Sequence, residues 1–205
     1  MRERRHRAGR AALVLAALLG AAVAGPAGWI ASDRLERDND FCVSCHLPDG
    51  EPLHAAKRKD LEHWPPATLA AKHGMEGVRE DGAIRPFRCI DCHGGTGAAG
   101  RVRVKVLSAK DAFWYAVGRF EEPSSMRWPL QDADCRRCHA HFDEKERAPG
   151  ADPAFHELAV HNAKLGVACV DCHLVHDEGG LSDHDFLHPE HVRARCAACH
   201  PELAP

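Results

Sequence analysis

Read as apolar and polar positions, the chain separates into one long apolar run and a remainder of short, broken patterns. Residues 11–32 (AALVLAALLGAAVAGPAGWIAS) hold no charged side chain. At 1.5 Å per residue, a helix of that length crosses a hydrocarbon core of about 30 Å. The second clear pattern lies at residues 102–120, where Val106, Phe113, Val117 and Phe120 recur on one helical face. This predicts a helix with its apolar face turned to a core, ended by Glu122-Pro123-Ser124-Ser125. Alternation of the kind a strand needs is weak throughout. Pro65-Pro66, Gly94-Gly95 and Gly179-Gly180 mark loops. The pattern predicts a mainly α protein with extensive loops behind an N-terminal apolar helix.

Charge orients that helix. Arg2, Arg4, Arg5, Arg7 and Arg10 stand against Glu3 alone, a local +4, in a chain whose formal net charge is -3. Arginine before the run and none directly after it put the N-terminus in the cytoplasm and the rest of the chain outside. Trp29 falls where an interfacial aromatic belongs. A cleaved signal sequence is the competing reading: residues 11–24 make an acceptable apolar region, and Ala22-Val23-Ala24 a small-residue cleavage site. Both readings export residues 33–205 and leave residues 1–32 as basic tail and anchor or signal. The exported part is acidic, which excludes nucleic acid as a partner. Its aromatic content is low, 6% for the whole chain. Something other than large side chains must fill its interior.

The cysteines say what. All ten fall into five C-x-x-C-H units: Cys42, Cys45 and His46; Cys89, Cys92 and His93; Cys135, Cys138 and His139; Cys169, Cys172 and His173; Cys196, Cys199 and His200. This is the attachment pattern of haem c. Cysteines three apart share a helical turn and can form thioethers to the two haem vinyl groups. The next residue then aims its imidazole at the iron from the same side, as proximal ligand. Redox disulfides, zinc sites and exported disulfide frameworks also use paired cysteines, but none needs His after every second Cys. Five chance coincidences have a probability on the order of 10⁻⁶. The expectation is five covalently attached haem c groups, packed in one domain at 33–205 whose porphyrin faces replace an apolar core. First cysteines are spaced by 47, 46, 34 and 27 residues, so no fixed repeat period governs them.

The chain has 16 histidines. Beyond the five proximal ones and His6 of the basic tail, ten remain as candidate distal ligands for bis-His iron. His54, His73, His156, His161 and His176 are preferred for their positions around the motifs. His188 and His191 are reserves, and His63, His141 and His184 rank last. Met75 and Met126 rank below the histidines.

An N-terminal anchor running into Phe41-Cys42-Val43-Ser44-Cys45-His46 resembles the NapC/NirT family of membrane-anchored multihaem quinol dehydrogenases. The similarity continues through Phe87-Arg88-Cys89-Ile90-Asp91-Cys92-His93, the helix at 102–120 and the turn before Cys135. It ends with Gly166-Val-Ala-Cys169-Val-Asp-Cys172-His173, flanked by His161 and His176. It thus covers about residues 11–176. The resemblance implies an uncleaved single-pass anchor in the cytoplasmic membrane and a haem domain on the periplasmic side. It further implies electron flow from membrane quinol to a periplasmic redox partner protein. Two departures stand out. Pro48 occupies a position where many members carry Met, and the fifth motif lies beyond the usual four-haem domain. Quinol oxidation releases protons, so acid-base groups belong beside the first motif, ten residues past Ser32. Glu51, His54, Lys57, Lys59 and Asp60 follow that motif. Lys57 and Asp60, three apart, are the candidate quinol-site pair on a shared helical face. A periplasmic shuttle without a quinol site is the alternative reading, and a multihaem reductase working at an open iron is a third.

Overall fold

The computed structural model describes residues 2–123, 126–140 and 167–203. Among these the protein is mainly helical, with one short hairpin. The N-terminal helix α1 runs from Arg2 to Leu35, and its stretch Leu13–Leu35 is long and apolar enough to cross a membrane. The helix does not stop at Ser32. It continues to Leu35, and at this end Asp33 and Glu36 both pair with Arg101 and Lys105. Lys105 also lies 5.6 Å over the Trp29 ring, a cation–π contact. These bonds clamp the C-terminal end of α1 to the residues that follow.

Short elements come next: α2 (Asn39–Cys42), α3 (Ala55–Leu61) and α4 (Leu69–Glu76). Thr68 caps α4, its hydroxyl accepting the Ala71 N–H at 3.0 Å. Strands β1 (Val78–Glu80) and β2 (Ala83–Arg85) pair antiparallel, with Val78 opposite Arg85 and Glu80 opposite Ala83. Asp81 and Gly82, both at positive φ, make the two-residue turn. Asp-Gly is the pair such a turn favours, a signal overlooked among weak strand patterns.

Helix α5 (Cys89–His93) leads into α6 (Gly97–Ala116). The predicted 102–120 helix therefore begins and ends earlier than its apolar pattern. Gly118 at φ +68 stops it, with Gly118 N–H bonding Tyr115 O and Arg119 N–H bonding Trp114 O. The expected core-facing stripe is also corrected. Val106, Phe113 and Val117 are exposed. A different face, carrying Val104, Leu107, Asp111 and Tyr115, turns to a large cleft. Helices α7 (Asp132–Arg136) and α8 (Pro189–Ala197), with 3₁₀ turns at Cys169–Asp171, Ser182–His184 and Pro201–Leu203, complete the described elements. Among the described residues buried apolar side chains are few: Leu61, Ala70, Ala71, Leu130 and Phe186.

Candidate haem cleft

The last four motifs each form a turn, whereas in the first Cys42 ends α2 and the chain runs on irregularly to His46, which bridges Pro52. In the third, fourth and fifth, the His backbone N–H bonds back to the first Cys carbonyl at 2.8 to 3.0 Å, so the histidine's main chain closes the turn that the cysteine opens. The second and fourth share a further device. Asp91 accepts the Arg88 N–H at 2.8 Å, and Asp171 accepts the Ala168 N–H at 2.9 Å, each capping its own turn. Burial raises the Asp91 pKa, but the Arg85 guanidinium and the Arg88 N–H outweigh it and hold the carboxyl below its usual range.

Polar side chains then join motif to motif in chain order. Asn39, three residues before Cys42, accepts the Cys89 N–H at 2.9 Å and donates to Phe87 O at 3.0 Å. Asp132, three residues before Cys135, accepts the Cys169 N–H at 2.8 Å. The first motif thus caps the second as the third caps the fourth. Between these pairs, Thr96 donates to Asp134 at 2.5 Å and Arg137 donates to Asp91 O. The fifth joins the fourth through His191, whose Nε2 lies 2.8 Å from Asp171 O, and through Arg195, 2.6 Å from the Asp171 carboxylate. His93 and His173 are half-buried, while His46, His139 and His200 are exposed. Sequence reasoning passed over Asn39 and Asp132. Their common offset of three residues before a first cysteine was the available signal.

A continuous cleft of about 3050 Å³ runs along these motifs. Close-packed interiors leave almost no voids, and a pocket for one small ligand holds about 300–1,000 Å³. Both cysteines of each of the first four motifs line the cleft, with His93, His139 and His173. At its edge stand Gly25, Gly28, Trp29 and Ser32 of α1. All ten cysteines are unbridged.

Two histidine pairs face each other across it. His93 and His176 have ring centres 6.4 Å apart with planes within 22°, and His73 and His139 have centres 5.9 Å apart and nearly perpendicular. Rings in direct contact have centres about 4.5–7 Å apart, so these distances suit ring contact as well as a shared metal. A metal held between two imidazoles at about 2 Å each separates ring centres by about 6 Å. Burial lowers the His93 pKa to about 4, with further lowering by the neighbouring His176 and His54. Burial and then His73 lower that of His139. Neutral imidazole is the form that binds a metal. Nδ1 of His73 donates to Leu69 O at 2.8 Å, and Nδ1 of His176 lies 2.9 Å from Asp60 Oδ2. Nε2 is left to act as ligand in each, the usual arrangement for a metal-bound histidine. Among the described residues no three His, Cys, Asp or Glu side chains converge as a metal site of their own. This donor set, with thiol pairs, opposed imidazoles and a large cleft, fits a porphyrin that brings its own equatorial nitrogens.

No family model, curated protein or solved structure matches the chain.

The other candidates scatter. His54, in the left-handed region at φ 59, puts Nδ1 2.6 Å from Glu122, whose carboxylate also accepts the His54 backbone N–H. His63 bonds Pro65 O at 2.7 Å, and His188 Nε2 lies 3.2 Å from Asp177 O. His184 ends an exposed 3₁₀ turn. His46 donates its backbone N–H to the Tyr115 hydroxyl at 3.0 Å, while His200 Nδ1 lies 3.1 Å from Glu202. His141, His156 and His161 lie outside the described residues. Lys57 lines the cleft, but Asp60 does not. Thr68 and His176 draw its carboxylate to another face of α3. The two residues share a helix and not a pocket. Beside Lys57 on the wall stand His54 and Glu122.

Proposed function

We propose that the protein is a membrane-anchored pentahaem c-type cytochrome, similar to the NapC/NirT quinol dehydrogenases. In this reading it passes electrons from membrane quinol to a periplasmic redox partner protein. The observation that carries it is the cleft. Four C-x-x-C-H motifs open on one space whose edge is formed by the outer end of the apolar helix. In this reading α1 anchors the protein in the cytoplasmic membrane, with the haem domain on the periplasmic side.

The motif cysteines hold five haem c groups by thioethers, and His46, His93, His139, His173 and His200 are the proximal ligands. His176 opposes His93, and His73 opposes His139. The bound groups supply one-electron chemistry at iron. The chain's own residues then have two tasks. Trp29, Gly25 and Gly28 border the entry from the bilayer. His54, braced by Glu122 at 2.6 Å, takes a quinol proton, and Lys57 on the same wall holds the quinol oxygen.

The test uses full-length protein in lipid nanodiscs. Intact mass and an alkaline pyridine spectrum should report five covalent haems. A menaquinol analogue should reduce them, and His54→Ala with all haems retained should slow that reduction at least tenfold. Fewer than five haems in matured protein would sink the cytochrome assignment. Five haems with no reduction by quinol would leave a shuttle in its place.

A further inference from the structure

We propose that Asp60 is a positioning residue. It fixes the ring of His176 as an iron ligand and, through Thr68, ties that ligand to the helix that carries His73. The inference rests on the haem-ligand reading above and concerns how two distal histidines are held.

Both oxygens of Asp60 are engaged. Oδ1 accepts the Thr68 hydroxyl at 2.6 Å, and Oδ2 lies 2.9 Å from Nδ1 of His176, 116 residues away in the chain. The carboxylate is largely buried, at 15% side-chain exposure, and Thr68 is almost wholly so, at 1%. A buried hydroxyl with one role would suffice for a helix cap, yet Thr68 serves two. It accepts the Ala71 N–H as the cap of α4 and donates to Asp60. The next residues extend the link. Ala70 N–H bonds Val175 O at 2.9 Å, fastening the first turn of α4 to the backbone beside His176. Three turns of chain therefore meet at one carboxylate: α3, the start of α4, and the segment after the fourth motif.

The consequence differs for the two histidines. His176 is oriented directly, because a carboxylate facing Nδ1 makes that nitrogen the donor and leaves Nε2 as ligand. The same bond makes the imidazole more basic, which stabilises the oxidised iron it would bind. His73 is held through its helix: Leu69 O fixes its Nδ1, and Thr68 and Ala70 fix Leu69. Loss of the Asp60 charge should therefore move one haem. Loss of the Thr68 hydroxyl should move two.

The experiment is a redox titration with electron paramagnetic resonance on full-length holoprotein, after intact mass has counted the haems. In Asp60→Asn, one low-spin haem should become easier to reduce by about tenfold in its equilibrium, 59 mV for one electron, with altered g-values for that haem alone. Thr68→Val should alter the g-values of two haems, and Thr68→Ser should restore them. Wild-type titration and spectra in Asp60→Asn with five haems retained would overturn the proposal. If Asp60→Asn loses a haem, Thr68→Val decides, and unchanged spectra there overturn it equally. Wild-type protein that carries no low-spin haem would instead refute the ligand reading on which the proposal rests.

Discussion

The corner where α3 meets α4 and the cleft beside it are built on opposite principles. At the corner the protein packs against itself. Leu61, Thr68, Ala70 and Ala71 are buried, and Gly74 lies so near α3 that a Cβ there would stand 1.9 Å from Leu61 O. Along the cleft, Trp114 and Tyr115 remain more than a third exposed over a space of about 3050 Å³. Small side chains and tight backbone approach give a fixed geometry, and the corner is where Asp60, Thr68 and His73 need one. The cleft walls gain their burial from whatever fills them. The lesson is that this chain places its few buried residues where two histidines are held and leaves most of its interior open, as the proposed haems would require.

The comparison is broken most severely by withholding that cofactor. Replacing all ten cysteines with serine should abolish the cooperative thermal transition of residues 33–205, followed by circular dichroism, since the cleft then has nothing to close on. A cooperative melt in that variant would mean that the cleft walls need no filler. Gly74→Ala attacks the corner instead. The added methyl meets backbone that cannot swing aside, and a loss of about 3 kcal/mol in the denaturation midpoint is expected. Gly20→Ala, with open space around it, should be neutral. Thr68→Ala removes a helix cap and strands a partner of Asp60, for about 2 kcal/mol by the same measurement. The smallest effect belongs to the clamp at the end of α1, whose Glu36 and Lys105 also line the cleft. Arg101→Gln loses partly exposed pairs with Asp33 and Glu36, about 1 kcal/mol or less, and high salt should shrink the difference between variant and wild type.

Local features were the legible ones. Four of the five C-x-x-C-H units occupy one turn, so their residues meet whatever the rest of the chain does, while the first departs from that pattern after Cys42. The apolar helix needs only length and composition, and the structure extends it by three residues to Leu35 because ion pairs to α6 continue it. The stripe of α6 misled for a related reason. Apolar periodicity reports that a face exists, while the partner that covers it comes from elsewhere in the fold. Val106 and Phe113 remain exposed, and the cleft recruits Leu107 and Tyr115 instead.

Residue spacing by itself thus determined five thiol pairs, each with its adjoining imidazole, and one helix fit for a bilayer. It also raised ten spare histidines to candidates without ranking them by geometry. Only the tertiary structure decided that His73 stands opposite His139 and His176 opposite His93. It also decided that Asp60 turns toward His176 and away from Lys57. The reason is physical: an imidazole opposed to another must arrive from a distant segment. Its direction is set by whichever carbonyl or carboxylate the fold brings to its other nitrogen, and no local pattern of residues encodes that meeting.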